Sequence, residues 1–177
     1  MTASDTVAIG HNATAGYDNS AAFGAGATTT RANQQSFGTA SNTYTMAGLP
    51  SDASRSFQSG PLEVATSDAA GNLATDGGLI FKGLSQLHAG VAVAIAMQNP
   101  DLVAGEKFGV ALNWGNFEGA NALAFSTMGV LGTDVFSKGD RLAISGSLGA
   151  STNEPGYGGH DAGMQVGARV GLQMTWK

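Results

Sequence analysis

The chain has 177 residues, 42% hydrophobic and only 12% charged, with 27 glycines, no cysteine and a net charge of −5. The lack of cysteine excludes a disulfide scaffold, thiol catalysis and cysteine-ligated zinc. Six acids against two bases in residues 1–78, and seven against six in 79–177, leave no basic footprint for nucleic acid. The chain is too apolar to be disordered, and its glycine, about twice the average usage, is patterned. Both features point to a repetitive β protein with tight turns. Met1 is followed by Thr-Ala-Ser-Asp, with no basic and apolar leader. Because it runs almost directly into a repeat, the chain is expected to be a fragment of a longer precursor.

The first element is that repeat. Thr6-Val7-Ala8-Ile9-Gly10, Ser20-Ala21-Ala22-Phe23-Gly24 and Gln35-Ser36-Phe37-Gly38 align at a spacing of 14. A small residue, a large apolar one and then Gly fit a short strand ending in a tight turn. Each unit is predicted to be one solenoid coil of two short strands. Ile9, Phe23 and Phe37 are expected to stack as one internal row, since a lone coil cannot bury its apolar face. Three coils are few, so self-association is expected. Thr6 to Ala15 resembles the head repeat of YadA-like trimeric autotransporter adhesins, SVAIG-x-x-A-x-A. The later copies are degenerate. The resemblance implies a left-handed parallel β-roll head that mediates attachment to an unknown host or surface ligand, such as a matrix protein. The adhesive-face candidates are His11, Asn12, Tyr17, Asp18, Arg31 and Gln34.

Asn42 to Leu49 looks like the neck of the same family, and Pro50 to Gly60 reads as a polar, Ser-rich linker. Leu62–Thr66 and Asn72–Thr75 flank Asp68-Ala69-Ala70-Gly71, which predicts a short hairpin. A two-stranded hairpin is marginal alone, so it is expected to pack against sister chains.

A helix is predicted over 79–98, with Asp76 as its cap and Pro100 as its stop. Leu84, Leu87, Val91, Ala94 and Gln98 follow the 3-4 spacing of a coiled-coil seam. Twenty residues span about 30 Å, the thickness of a bilayer core. However, Lys82, Ser85, Gln86 and His88 argue against a lipid-facing helix. A helix enclosed by protein at membrane depth fits them better, with His88 in the lumen.

Residues 107–117, 121–132, 141–150 and 164–176 alternate with period two. Phe108, Val110, Leu112 and Trp114 oppose Gly109, Ala111, Asn113 and Gly115. Leu123, Phe125 and Leu131 oppose Ala122, Ala124 and Ser126, while Met128 and Val130 blur the split. Leu142, Ile144 and Leu148 oppose Ala143, Ser145 and Ser147. Val166, Val170, Leu172 and Trp176 oppose Gly167, Arg169, Gly171 and Gln173. Segments of about ten residues with this dyad are the signature of membrane strands. Phe108, Trp114, Leu142, Val170 and Trp176 are the expected lipid-facing and girdle residues. Arg169 falls on the lumen face, where it avoids the cost of about 2–4 kcal/mol it would meet in mid-membrane lipid.

Four strands cannot close a barrel, and open edges are not tolerated in lipid. Two copies would give eight strands, whose interior only side chains fill. Three copies give twelve strands around three helices, so a homotrimer is expected. Gly90 to Trp176 resembles the membrane anchor of the same adhesins, although Lys177 here follows the terminal aromatic residue. The resemblance implies a Gram-negative outer-membrane location. The surface turns are then 117–120 and 151–163, the latter read as a solvated loop despite its His160-Asp161 pair.

No nucleophile elbow, phosphate loop or metalloprotease helix is present, and the histidines 11, 88 and 160 fall in different modules. No catalytic residue, metal or cofactor is expected. The expected organisation is a head over 1–41, a neck and hairpin connector over 42–78, a lumenal helix over 79–99 and an anchor over 100–177. Anchor and head make a short trimeric surface adhesin, or an anchor that serves chiefly to export its own head. The alternative is a soluble trimeric fibre or phage-type appendage with a β-prism core.

Overall fold

The computed structural model describes residues 3–153 and 155–176. The fold is mainly β, with 38% strand and 13% helix in three sheets. It divides into two units, Met1–Phe57 and Gln58–Lys177. The division falls inside the Ser-rich stretch, so the neck belongs to the first unit and the hairpin to the second.

In the first unit, β1 (Val7–Ile9), β2 (Ala21–Phe23) and β3 (Gln35–Phe37) form a parallel sheet. Val7 pairs with Ala21 and Ala21 with Gln35, so the register is the 14-residue period of the sequence. The second strand of each coil shrinks to one bridge, Thr14 to Thr28. A further column at the same period makes the corners. Asp5, Asn19 and Asn33 have φ of 56°, 51° and 58°, a left-handed state that Asn and Asp tolerate better than other side chains. Asn19 Nδ2 donates to Asn33 Oδ1 at 2.6 Å. At Gly10 a Cβ would lie 2.5 Å from the Gly24 carbonyl carbon, so only glycine fits the coil-to-coil approach.

The internal apolar row is corrected. Phe23 and Phe37 do stack, with centroids 5.1 Å apart, but Ile9 and Phe37 are 59% and 58% exposed. The thin coil encloses small residues instead: Ser20, Ala22, Ala27 and Thr29 are buried. Ser20 Oγ donates to the Tyr17 carbonyl at 2.6 Å, which satisfies its hydroxyl inside. The linker reading of 50–60 is also corrected, because it holds helix α1 (Asp52–Ser56). Ser51 Oγ accepts the Ser54 N–H at 3.0 Å as its cap, and Asp52 pairs with Arg55. The neck, 42–49, contains no strand. Its Tyr44 hydroxyl donates to the Phe37 carbonyl.

The second unit begins with the predicted hairpin, β4 (Ala65–Ser67) and β5 (Leu73–Thr75). Asp68 turns it by accepting the N–H groups of Ala70 and Asn72, each at 2.9 Å. All six strand residues are exposed, so this unit gives the hairpin no core. Helix α2 spans Leu79–Ala96. Asp76 Oδ2 accepts the Ile80 N–H at 2.8 Å and Oδ1 accepts that of Val64, also at 2.8 Å. The N-cap is Gly78, at φ 78°, rather than the expected Asp76; from two residues earlier the Asp76 carboxylate binds a first-turn N–H and ties the helix to the hairpin. These bonds, Ile80's foremost, hold its carboxyl below the ordinary aspartate range.

Strands β6 (Phe108–Phe117), β7 (Ala120–Thr133), β8 (Arg141–Asn153) and β9 (Val166–Thr175) form an antiparallel sheet in chain order, open at β6 and β9. The register shifts at a bulge between Val130 and Gly132, but the alternation before it is unbroken; the blur there comes from large residues on the inner face. Met128 lies on the inner face, buried with Leu102 and Ala143, and Val130 packs beside them.

Candidate functional site: the two faces of one sheet

The strand register sorts the sheet into rungs that differ by face. On the inner face, Asn113, Ala124, Gly149 and Gly167 lie side by side, followed by Ala111, Ser126, Ser147 and Arg169. On the outer face, the rungs are Trp114, Leu123, Ala150, Val166 and then Leu112, Phe125, Leu148, Ala168. The alternation of the sequence therefore becomes a division between small and large.

The small face is a cradle for α2. Ser85, Ala89, Ala92, Val93 and Ala96 recur at helical spacing and are buried. Ala92, Val93, Ala96 and Met97 pack with Ala120, Ala122 and Ala124. The fit depends on missing side chains. A Cβ on Gly115 would lie 2.4 Å from the Ala92 carbonyl oxygen, and one on Gly167 would lie 2.9 Å from Val93. A Cβ on Gly149 would meet Ala124, Val93 and Met97 at 3.0–3.2 Å. The predicted seam is left on the opposite side of α2. Leu84, Leu87, Ala94 and Gln98 are exposed there, and Val91 is half-buried.

Two edge-strand side chains hold the end of α2. Arg169 Nη1 donates to the Met97 carbonyl at 3.3 Å, and Asn113 Nδ2 donates to the Gln98 carbonyl at 2.9 Å. Both satisfy carbonyls that the helix terminus leaves open, and the guanidinium complements the negative end of the helix dipole. The period-two pattern places Arg169 on this face, but nothing in it identifies Met97 as its partner. Among the described residues, Ser126 Oγ, Ser147 Oγ and Asn99 Oδ1 are buried without a hydrogen-bond partner.

Among the described residues of this unit, nothing covers the large face. Leu112, Phe125, Leu148, Val170 and Leu172 are all more than half exposed, while Leu142 is half-buried. Aromatic residues mark its two ends. Trp114 lies toward the β6–β7 turn, and Phe108 and Trp176 lie at the far end, all more than 60% exposed. Lys177 lies outside the described residues.

His88 and His160 both have partners, and residues 157–160, expected in a solvated loop, pack on α2 and Leu62. His88 Nδ1 and the Tyr157 hydroxyl are 2.8 Å apart, and His88 meets Phe117 edge-on at 5.4 Å. His160 Nε2 faces the Leu62 carbonyl at 2.7 Å, so it carries the proton. His88 thus packs against Tyr157 of the β8–β9 loop and against Phe117. The sequence marks Ser85 only as a polar residue on the helix, and nothing local pairs it with Tyr157, because their contact spans 72 residues.

Of the head candidates, Asn12 shapes a turn at φ 58°. Asp18 accepts the Ser4 N–H at 2.8 Å, and Gln34 accepts the Thr30 N–H at 2.7 Å. These three serve the coil; His11, Tyr17 and Arg31 are exposed. Among the described residues, no group of three metal-capable side chains converges. No family model, curated protein or solved structure matches the chain.

Proposed function

We propose that the chain is one third of a homotrimeric outer-membrane surface adhesin of the YadA-like type. In this reading, three four-stranded sheets close into a twelve-stranded barrel with three α2 helices inside. Three left-handed β-roll heads stand at the surface of a Gram-negative cell. The observation that carries the reading is the sheet of the second unit. It fills its small face with its own helix, leaves its large apolar face uncovered, and leaves β6 and β9 unpaired at its edges. A bare apolar face of this size favours lipid, and edge strands in lipid must find partners. The exposed Leu84–Leu87 stripe of α2 then meets its two sister helices.

The head's contribution is avidity. Three identical faces bearing His11, Tyr17 and Arg31 engage a surface together, so weak single contacts sum to firm attachment. No catalytic step and no cofactor belong to this reading.

The test is the state of the purified full chain in detergent, by light scattering and by electrophoresis with and without boiling. A heat-dissociable trimer that partitions with membranes is expected. A monomer overturns the proposal. A trimer that stays soluble without detergent overturns the membrane assignment and favours a soluble fibre.

A further inference from the structure

We infer that the β8–β9 loop is a latch that closes on α2 and on the chain leading into it, sealing the mouth where the chain leaves the barrel. This assignment rests on the anchor reading above. A connection of this length on a surface is ordinarily mobile. This one is bound to residues far away in sequence.

Its first hold is on the helix. The Tyr157 N–H donates to Ser85 Oγ at 3.0 Å, and Ser85 Oγ donates to the His160 carbonyl at 2.9 Å. The Tyr157 ring meets His88 edge-on at 4.8 Å. Its second hold is on the segment before the hairpin. The Leu62 N–H donates to the Gly158 carbonyl at 2.6 Å, while the Leu62 carbonyl accepts from His160 Nε2. Glycine marks the closest approaches. A Cβ on Gly158 would lie 2.7 Å from the Phe81 ring, and one on Gly78 would lie 2.0 Å from the His160 ring.

Binding fixes α2 along the barrel axis, and Tyr157, His88 and Phe117 fill the gap between helix and sheet.

The experiment uses full-chain trimers. One set carries Ser85→Ala with Tyr157→Phe, which removes the hydroxyl bonds of the helix hold and leaves the Leu62 hold in place. A second set carries Gly158→Ala, which pushes the loop off Phe81 without touching either group. Trimers are confirmed on unboiled gels, and amide exchange over 79–88 and conductance in planar bilayers are then measured. Exchange is expected to rise about five- to thirtyfold, as for the loss of one or two hydrogen bonds, with conductance rising alongside. Intact trimers with parental exchange and conductance overturn the latch. If the double variant does not assemble, Gly158→Ala decides between the same outcomes. An unsubstituted chain that neither trimerises nor inserts overturns the anchor reading itself, and the latch with it.

Discussion

The head and the sheet of the second unit bury small residues and display large ones, yet they do so on different scales. The head encloses Ala22, Ala27 and Ser20 and shows one row, Ile9, Phe23 and Phe37, set in a polar surface. The sheet encloses Ala122, Ala124 and α2 and shows a continuous apolar face rung after rung. A soluble domain of this size normally does the reverse. The difference bears on the proposed function. In that reading the single row meets the same row on a copy of the chain, and the broad face bounded by Trp114 and Trp176 meets lipid.

The largest expected effect comes from filling the cradle. Gly115→Val places carbon against the backbone of α2, with no flexible side chain to yield. Overpacking of this kind costs about 3 kcal/mol, so the unboiled trimer band should disappear. The same substitution at Gly16, where a Cβ meets nothing within 4 Å, should leave it in place.

Next is a charge on the large face. Leu148→Arg should cost about 2–4 kcal/mol if the face lies in lipid, against about 0.5 kcal/mol or less on a solvated surface. Melting of the trimer in detergent separates the two. Ile9→Arg is the control that sharpens the contrast. It should abolish association of the head while the anchor trimer persists on gels.

Acid titration should act more gently and at one place. Asp140 is buried in the 134–140 turn. Burial opposes its charge, but the N–H groups of Phe136, Ser137 and Val135 donate to it and hold its carboxyl below the ordinary aspartate value. A depressed carboxyl contributes stability that is complete above the unfolded-state pKa, about 3.9, and is lost as pH falls through the folded-state value. Asp140→Asn should remove this acid-sensitive component, seen as a flatter melting temperature below about pH 4. The smallest effect is expected at Ser126→Ala. Its hydroxyl is buried without a partner, so its removal should leave the melting temperature unchanged or slightly raised.

Much of the architecture was legible because it is periodic. A spacing of 14 marks the coils, a spacing of two marks the strands, and Asp76 with Pro100 brackets α2. Each is a local property of the chain, carried by neighbours on one strand or one helical turn. The column Asp5, Asn19, Asn33 carries the same period, but Asp and Asn are common in any turn, so it is less legible than the apolar row. Helix α1 is not legible in the sequence, because Ser serves both linkers and helix caps.

By itself, the sequence determined which residues are large and which small on each strand, and hence that the sheet has two unlike faces. Only the tertiary structure decided what each face meets. Residues 92–97 of α2 settle over Gly115, Gly149 and Gly167, and Arg169 reaches the Met97 carbonyl. Tyr157 and His160 fold back onto Ser85, His88 and Leu62. Those pairings join residues about 70–100 positions apart. No local period encodes them, because what selects them is shape complementarity and the need of buried polar groups for partners.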